Sequence, residues 1–509
     1  MEERKGFGST FGFLMAAVGS AVGLGNIWGF PNKMGANGGF TFLIIYLILA
    51  ALCGFVVMVG ELALGRKTGR GVVSAYQVLS KRFKWLGWLG IIAPFLILSF
   101  YCALGGYCVK YVVLNVGNIF GTGFGNNGLA SGEVFGNMLT NQLESVIYGL
   151  IFVLLTLIIV MGGVSSGIEK FCSIGMPCLF FMLVIVIIRA CTLPGAVDGL
   201  KYMFVPGWAV EHGVIEKAPN IITVLSNAGG QMFFSLSLGM GIMITYGSYT
   251  GKGINIVNST VMICLFDTVV ALLAGLAIFP AVAHFDPSLL NSSRGIALIF
   301  IILPQVFDSM GFVGKIVSFA FFIMVVIAAV TSVMSLIEVA TQFVIQKFRA
   351  SRKVSALIVA GVCFLVSIPI GISLGHVAIL EESGPALFGL DWLTFFDEVT
   401  NTVLMPVCAF FACVAVGWII KPKNAIQEME DEGCKMAPWL EKTYAVMIRY
   451  ITPLLIVIVE IGGLAGEIEA GNIAVVVFAY ALIAVCAIVY FAFLRDRDTG
   501  CNADEGVKR

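Results

Sequence analysis

The chain has 509 residues, 59% of them hydrophobic and only 12% charged, and its 30 basic and 30 acidic side chains cancel to a formal net charge of zero. A soluble domain carries about 25% charged residues, so this composition excludes a water-soluble globular protein, and the missing basic surplus argues against a nucleic-acid partner. Mean hydropathy is +0.99, and apolar runs long enough to cross a bilayer recur along the whole sequence, the pattern of a polytopic all-α membrane protein.

In chain order, the first apolar run begins near Ser9. It lacks a small-residue cleavage site before the next element, so it reads as a retained helix rather than a signal peptide. Twelve spans are predicted, near 9–31, 38–65, 86–114, 145–162, 166–190, 219–249, 254–283, 311–347, 354–373, 391–420, 443–464 and 472–494. One set of connections is basic: Arg4 and Lys5, Arg66 to Arg70, Lys81 to Lys84, Lys347 to Lys353, Lys421 and Lys423, and the tail from Arg495. Three opposite loops, 115–144, 374–390 and 465–471, hold no Lys or Arg, and the rest of that side has only Lys33, Lys201, Lys217 and Arg294. The positive-inside rule therefore predicts an inner-membrane protein with both termini in the cytoplasm. The 13 cysteines, among them Cys53, Cys102, Cys108, Cys264, Cys363 and Cys486, form no Cys-x-x-Cys pair. They read as small core hydrophobes, and three histidines (His212, His284, His376) near loops offer no metal centre.

Two spans are interrupted by glycine in the same way, at Ala21-Val22-Gly23-Leu24-Gly25-Asn26 and at Ser235-Leu236-Ser237-Leu238-Gly239-Met240-Gly241. Freed backbone groups inside a bilayer are tolerated only where protein or a cavity satisfies them. Broken helices at matching places in two halves point to an inverted repeat with a binding site at the midplane. Spans 1–5 (residues 9–190) and 6–10 (219–420) are the predicted repeats of a single transmembrane domain over 1–509, with spans 11–12 (443–494) added. Gly19-x-x-x-Gly23 and Gly25-x-x-x-Gly29 are also helix-packing patterns, and for either span alone packing is the simpler reading. The pairing, with Asn and Ser beside the glycines, favours a site.

The stretch GSAVGLGNIWGFPNKMG (Gly19 to Gly35), the segment from Gln231 to Gly241 with Thr245 to Tyr249, and Ala328-Ala329-Val330-Thr331-Ser332 together resemble the neurotransmitter:sodium symporter family, in particular its bacterial, leucine-transporter-like hydrophobic amino-acid transporters. The resemblance covers nearly the whole chain. It implies a fold of twelve helices in a 5+5 inverted repeat with helices 1 and 6 unwound, and a cargo of two sodium ions with an amino acid. One ion is implied to use carbonyls of Gly19, Val22 and Ala328 with the hydroxyls of Thr331 and Ser332; the alternative for those hydroxyls is back-bonding to the preceding helical turn. The other is implied to use Ala21, Asn26, Ser235 and Asp267 with the substrate carboxylate. Asp267 lies in an apolar run, where a carboxylate is costly and needs a cationic partner. The family often has Asn there, and chloride-using relatives bind the anion near the position of Ala271, so Asp267 implies transport without chloride. The alternative is a protonated structural acid.

The resemblance also implies a substrate site. Leu24 and Gly25 offer N–H groups to the carboxylate, Tyr101 offers its hydroxyl, and Ser20, Ala21, Phe234, Ser235, Ser237 and Ser332 surround the amine end. Gly23 stands where amine transporters carry Asp, which favours an amino acid. The side-chain pocket is implied to be lined by Ile97, Tyr101, Phe234, Met240, Ser332 and Leu336. Met240 stands where Phe is common, so larger side chains are admitted; otherwise Met240 and Leu336 are core. Glu61 is implied to bond freed backbone near the sixth-helix break, and Glu338 has no assignment.

Three departures affect the gates. Gly29 replaces the outer-gate Arg that faces Asp397, leaving Lys33 to reach Asp397 or Glu398 or simply to be solvated. Phe7 replaces a Trp, and Gln346 replaces the Asp that pairs with Arg4. The function expected is sodium-coupled uptake of an aliphatic or aromatic L-amino acid by alternating access across the lipid bilayer. The alternatives are transport of a small osmolyte or polar amino acid, or an ion channel, although no filter-like loop or charge ring is present. No Ser/His or His-Glu-x-x-His arrangement lies in a span, so an enzyme is not expected. A homodimer stays open.

Overall fold

A computed structural model describes residues 6–80, 83–291, 296, 298–377, 387–430 and 436–494. Arg4, Lys5, Lys81, Arg82, Arg294, most of the 374–390 loop and the tail from Arg495 lie outside the described residues. The first crossing is a bent pair, α1 (Thr10–Ala21) and α2 (Gly25–Ala36), whose axes differ by 46°. Then come α3 (Phe40–Thr68), α4 (Lys84–Phe120), α5 (Gln142–Met161) and α6 (Gly167–Cys191). A second broken element follows, α7 (Ile221–Ser235) and α8 (Ile242–Gly247). The chain continues with α9 (Ile256–Phe285), α10 (Phe312–Phe348), α11 (Arg352–Ser373), α12 (Trp392–Ile420), α13 (Pro438–Glu469) and α14 (Ile473–Ala492).

Among the described residues ten helices are long and apolar enough to cross a bilayer, and eleven if the bent pair is one crossing. A count of twelve requires α7 and α8 to be joined across Leu236–Gly241 as well. The first crossing also extends further than its sequence suggested. Pro31 lies inside α2, which continues past it to Ala36. A wide turn over Gly25–Gly29 precedes it.

The outward faces are apolar, with Ile158, Ile174, Phe181, Ile188, Leu454, Ile461 and Val477 all largely exposed, as expected of surfaces that meet lipid tails. The interior is built on α4 and α10, which share the most extensive helix contact in the molecule. The two broken elements lie against this wall and its neighbours. α1 packs on α6, α9 and α10; α7 packs on α3 and α13; α8 packs on α3. Polar side chains absent from the lipid faces collect where the breaks meet: Ser20, Asn26, Ser235, Ser237, Asp267, Thr331 and Ser332 are all buried.

Candidate functional site

The second break is held open by backbone geometry. Ser237, Gly239 and Gly241 have φ of 55°, 70° and 69°, left-handed values that glycine adopts without penalty. A Cβ at Gly239 would lie 2.3 Å from the Met405 carbonyl oxygen, so this position needs glycine on two counts. The freed N–H of Gly239 donates to Glu61 Oε1 at 3.0 Å, the kind of bond the sequence suggested for that acid. Ser237 Oγ donates to the Ser20 carbonyl at 3.1 Å and lies 3.2 Å from Ser20 Oγ. The two breaks are therefore tied directly to each other.

A carboxylate lies at the centre of one polar cluster. Asp267 is fully buried on α9. Its Oδ1 accepts from Asn26 Nδ2 at 2.7 Å and from Ser235 Oγ at 2.9 Å, and its Oδ2 accepts from Tyr46 at 3.2 Å. Asn26 Oδ1 in turn accepts from the Gly23 N–H at 3.1 Å. Asn26, Ser235 and Asp267 are thus brought together from three separate helices. Tyr46 was not singled out by sequence, because a lone hydroxyl in the run Phe42–Leu49 looks like any aromatic core residue.

The second cluster lies where α10 meets α1. A Cβ at Gly19 would be 3.3 Å from Thr331 Cβ and 2.9 Å from Cys172 Sγ. Thr331 Oγ1 donates to the Ala328 carbonyl at 2.8 Å, the back-bond weighed above as the alternative to ion ligation. Ser332 Oγ instead donates across to the Ser20 carbonyl at 3.3 Å. The two neighbouring hydroxyls therefore serve different carbonyls. Both clusters offer hard oxygen donors suited to an alkali cation. Among the described residues no group of three or more His, Cys, Asp or Glu could hold another kind of metal.

Between the clusters lies a small, largely side-chain-filled cavity lined by Ser20, Ala21, Gly25, Ile97, Tyr101, Phe234, Ser237, Met240, Ile242, Ser332 and Leu336. Leu24 and Ser235 do not line it. The Leu24 side chain faces a separate apolar void with Trp28, Leu104 and Ile299, and Ser235 is turned to Asp267. Ile242 joins the lining because α8 begins immediately after Gly241, a boundary that hydropathy does not mark. One end of the cavity is polar, formed by Gly25, Tyr101 and Ser332. The other end is apolar, formed by Ile97, Met240, Ile242 and Leu336. The Phe234 ring closes over Gly25, where a Cβ would lie 2.8 Å from it.

On one side of this cavity, Lys33 lines a cleft with Glu398, Asn401 and Glu467. Among the described residues no ion pair within 4 Å joins Lys33 to Asp397 or Glu398. Asp397 instead accepts from Asn401 Nδ2 at 2.5 Å. Beside Gly29, where a gate arginine was expected, the side chain of Gln231 fills the space, 3.1 Å from where a Cβ would be, and donates to the Gly25 carbonyl at 2.9 Å.

On the opposite side Glu338 acquires a role that sequence did not give it. It is fully buried and pairs with Arg352 at 2.5 Å, while Tyr249 and Gln342 donate to it at 2.6 and 3.2 Å. Arg352 follows a chain reversal at Arg349, whose φ is 53°, so a residue that reads as a loop cation folds back onto the preceding helix. Phe7 packs edge-on against Phe13, Tyr246 and Tyr249, with centroids 5.2, 5.5 and 6.3 Å away.

The Sodium:neurotransmitter symporter family model matches residues 4–121 and 130–492. The crystal structure of MhsT in complex with L-phenylalanine is similar at a TM-score of 0.80 and 34% identity, covering 90% of this chain and 100% of that one. The uncharacterized sodium-dependent transporter YhdH of Bacillus subtilis is 34% identical over 453 residues, 89% of this chain and 96% of the relative. The more distant sodium- and chloride-dependent GABA transporter ine of Drosophila melanogaster is 25% identical over 453 residues, 80% of this chain and 45% of the relative.

Proposed function

The chain belongs to the sodium:neurotransmitter symporter family, and on that premise we propose that this sodium-dependent membrane transporter takes up a hydrophobic, aliphatic or aromatic L-amino acid. The observation that carries the reading is the two-ended cavity. Its polar end, with Gly25, Tyr101 and Ser332, suits the carboxylate and amine of an amino acid, and its far wall of Ile97, Met240, Ile242 and Leu336 suits an apolar side chain. The phenylalanine bound to MhsT supports the same class of substrate.

In this reading two sodium ions travel with the amino acid. One lies among Ala21, Asn26, Ser235 and Asp267 and touches the substrate carboxylate. The other lies among Gly19, Val22, Ala328, Thr331 and Ser332, with Thr331 and Ser332 turning from their present carbonyl partners to the ion. Asp267 supplies a fixed negative charge beside the first ion, so no chloride is needed. Residues 9–190 and 219–420 act as the two inverted repeats, both termini lie in the cytoplasm, and transport proceeds by rocking about the fixed site.

The test is uptake of each of the twenty amino acids, radiolabelled, into proteoliposomes with an imposed sodium gradient. Accumulation confined to leucine-, valine-, phenylalanine- or tryptophan-like substrates, abolished by replacing sodium with choline, is the expected result. Accumulation of only small polar amino acids or osmolytes would overturn the substrate class, and conductance without any amino acid would favour a channel.

A further inference from the structure

The start of α1 is fastened to α6 by one carboxylate. Glu169 ends the wide turn Val164–Glu169 that leads into the body of α6. Its Oε2 accepts from the Gly8 N–H at 2.8 Å and its Oε1 from Ser9 Oγ at 3.0 Å. Ser9 Oγ also accepts from the Gly12 N–H at 2.9 Å. The carboxylate therefore lies over the first turn of α1, where N–H groups lack intrahelical partners and the helix dipole is positive. Gly12 makes the approach possible, since a Cβ there would lie 1.7 Å from Glu169 Oε1. One more contact fixes the same segment from the α8 side: the Phe7 N–H donates to the Tyr249 carbonyl at 3.3 Å.

We propose that Glu169 is a gating residue, an anionic latch that holds the start of α1 against α6 and so keeps the Gly19–Thr331 cluster closed from that end of the molecule. The latch grips backbone and a hydroxyl rather than a basic side chain. Its location suits release: α1 ends at Ala21, two residues beyond Gly19, and Gly19 rests on Cys172 of α6. Once the carboxylate lets go, separation of α1 from α6 uncovers that contact. The inference rests on the alternating-access reading above.

Cys172 is a built-in reporter, fully buried in the closed arrangement. The full-length protein in proteoliposomes is treated with N-ethylmaleimide in sodium or choline, and alkylation of each cysteine is followed by peptide mass spectrometry. Sodium is expected to slow modification of Cys172 in the parent. Losing hydrogen bonds to a partly exposed charged group shifts an opening equilibrium by about three- to tenfold. Glu169→Ala should raise the Cys172 rate in sodium by that factor, with Glu169→Gln, which keeps one oxygen acceptor, in between. Gly12→Ala, whose methyl strikes the carboxylate, should act in the same direction. A rise at Cys172 with Cys108 and Cys363 unchanged supports the latch. Rates in Glu169→Ala and Gly12→Ala within twofold of the parent overturn it, as does a general rise at all three buried cysteines, which marks loosened packing instead. If sodium fails to protect Cys172 in the parent, the assignment of an ion near Gly19 fails instead, and the comparison of variants still reads the latch.

Discussion

Replacing Asp267 by Asn changes one charge and almost no volume. Three side chains, from Asn26, Ser235 and Tyr46, donate to this carboxylate within 3.2 Å. An amide keeps one oxygen for them, and the Ser235 and Tyr46 hydroxyls can turn to accept from its nitrogen, so the fold should survive. What is lost is the attraction between a fixed anion and a sodium ion beside it. At an effective dielectric near 20, two unit charges about 4 Å apart attract by about 4 kcal/mol. The amide dipole and incoming water recover part of this, leaving about 2–3 kcal/mol, or roughly a hundredfold rise in the sodium concentration needed for half-saturation. Sodium titration of radiolabelled substrate binding by scintillation proximity measures it, and gluconate in place of chloride should leave the parent unchanged. A sodium affinity in Asp267→Asn within threefold of the parent, or collapse of parent uptake without chloride, would refute the electrostatic assignment.

Met240→Phe should weaken competition by tryptophan or tyrosine more than by leucine or valine in an uptake assay, because residue 240 lines the apolar end of the cavity; equal weakening of all four would remove Met240 from the substrate wall. Gly239→Ala should abolish substrate binding or lower thermal stability by about 2 kcal/mol or more, since its Cβ meets the Met405 carbonyl and its φ is left-handed; a normal melting temperature with normal uptake would show that the break tolerates rearrangement. Arg352→Ala leaves Glu338 buried without its cation and should cost about 3–5 kcal/mol, read as a lower melting temperature in detergent, and Glu338→Gln in the same background should recover part of the loss. No recovery would show that unpaired charge is not the cause.

Much of the frame was legible because bilayer physics leaves few options. Apolar runs fix the unbroken helices to within a few residues, and clusters of glycine mark where two helices stop. Less visible was how those helices resume. The 46° bend falls at Val22–Leu24, and the helix that resumes at Gly25 passes Pro31 and reaches Ala36, beyond the boundary at residue 31 drawn from hydropathy. Contacts made across large sequence separations were legible only where a charge betrayed them. Asp267 stood out as an acid in an apolar run, but its partner Tyr46, 221 positions away, had no comparable mark. Arg352 misled for the opposite reason: it sits among loop cations in sequence, and only the left-handed reversal at Arg349 turns it back onto Glu338. Lys33 shares a helical face with Gly29, which left it either to reach Asp397 or Glu398 or to stay solvated. Asn401, one turn along α12 from Asp397, takes the contact with that acid instead.

Ser237 meets two demands at once. Its backbone is left-handed, at φ 55°, which costs a non-glycine residue about 1–2 kcal/mol, and its hydroxyl is the strut to Ser20 on the other broken helix. Glycine would relieve the first demand and forfeit the second; alanine would fail both; a longer polar residue would intrude on the cavity that Ser237 lines. Neutral drift at this position is therefore confined in an unusual way, because the substitution that makes the chain easier to fold is the one that removes a direct tie between its two broken helices. A lineage in which selection for transport relaxed should lose this serine to glycine early, gaining stability while losing the strut between the breaks.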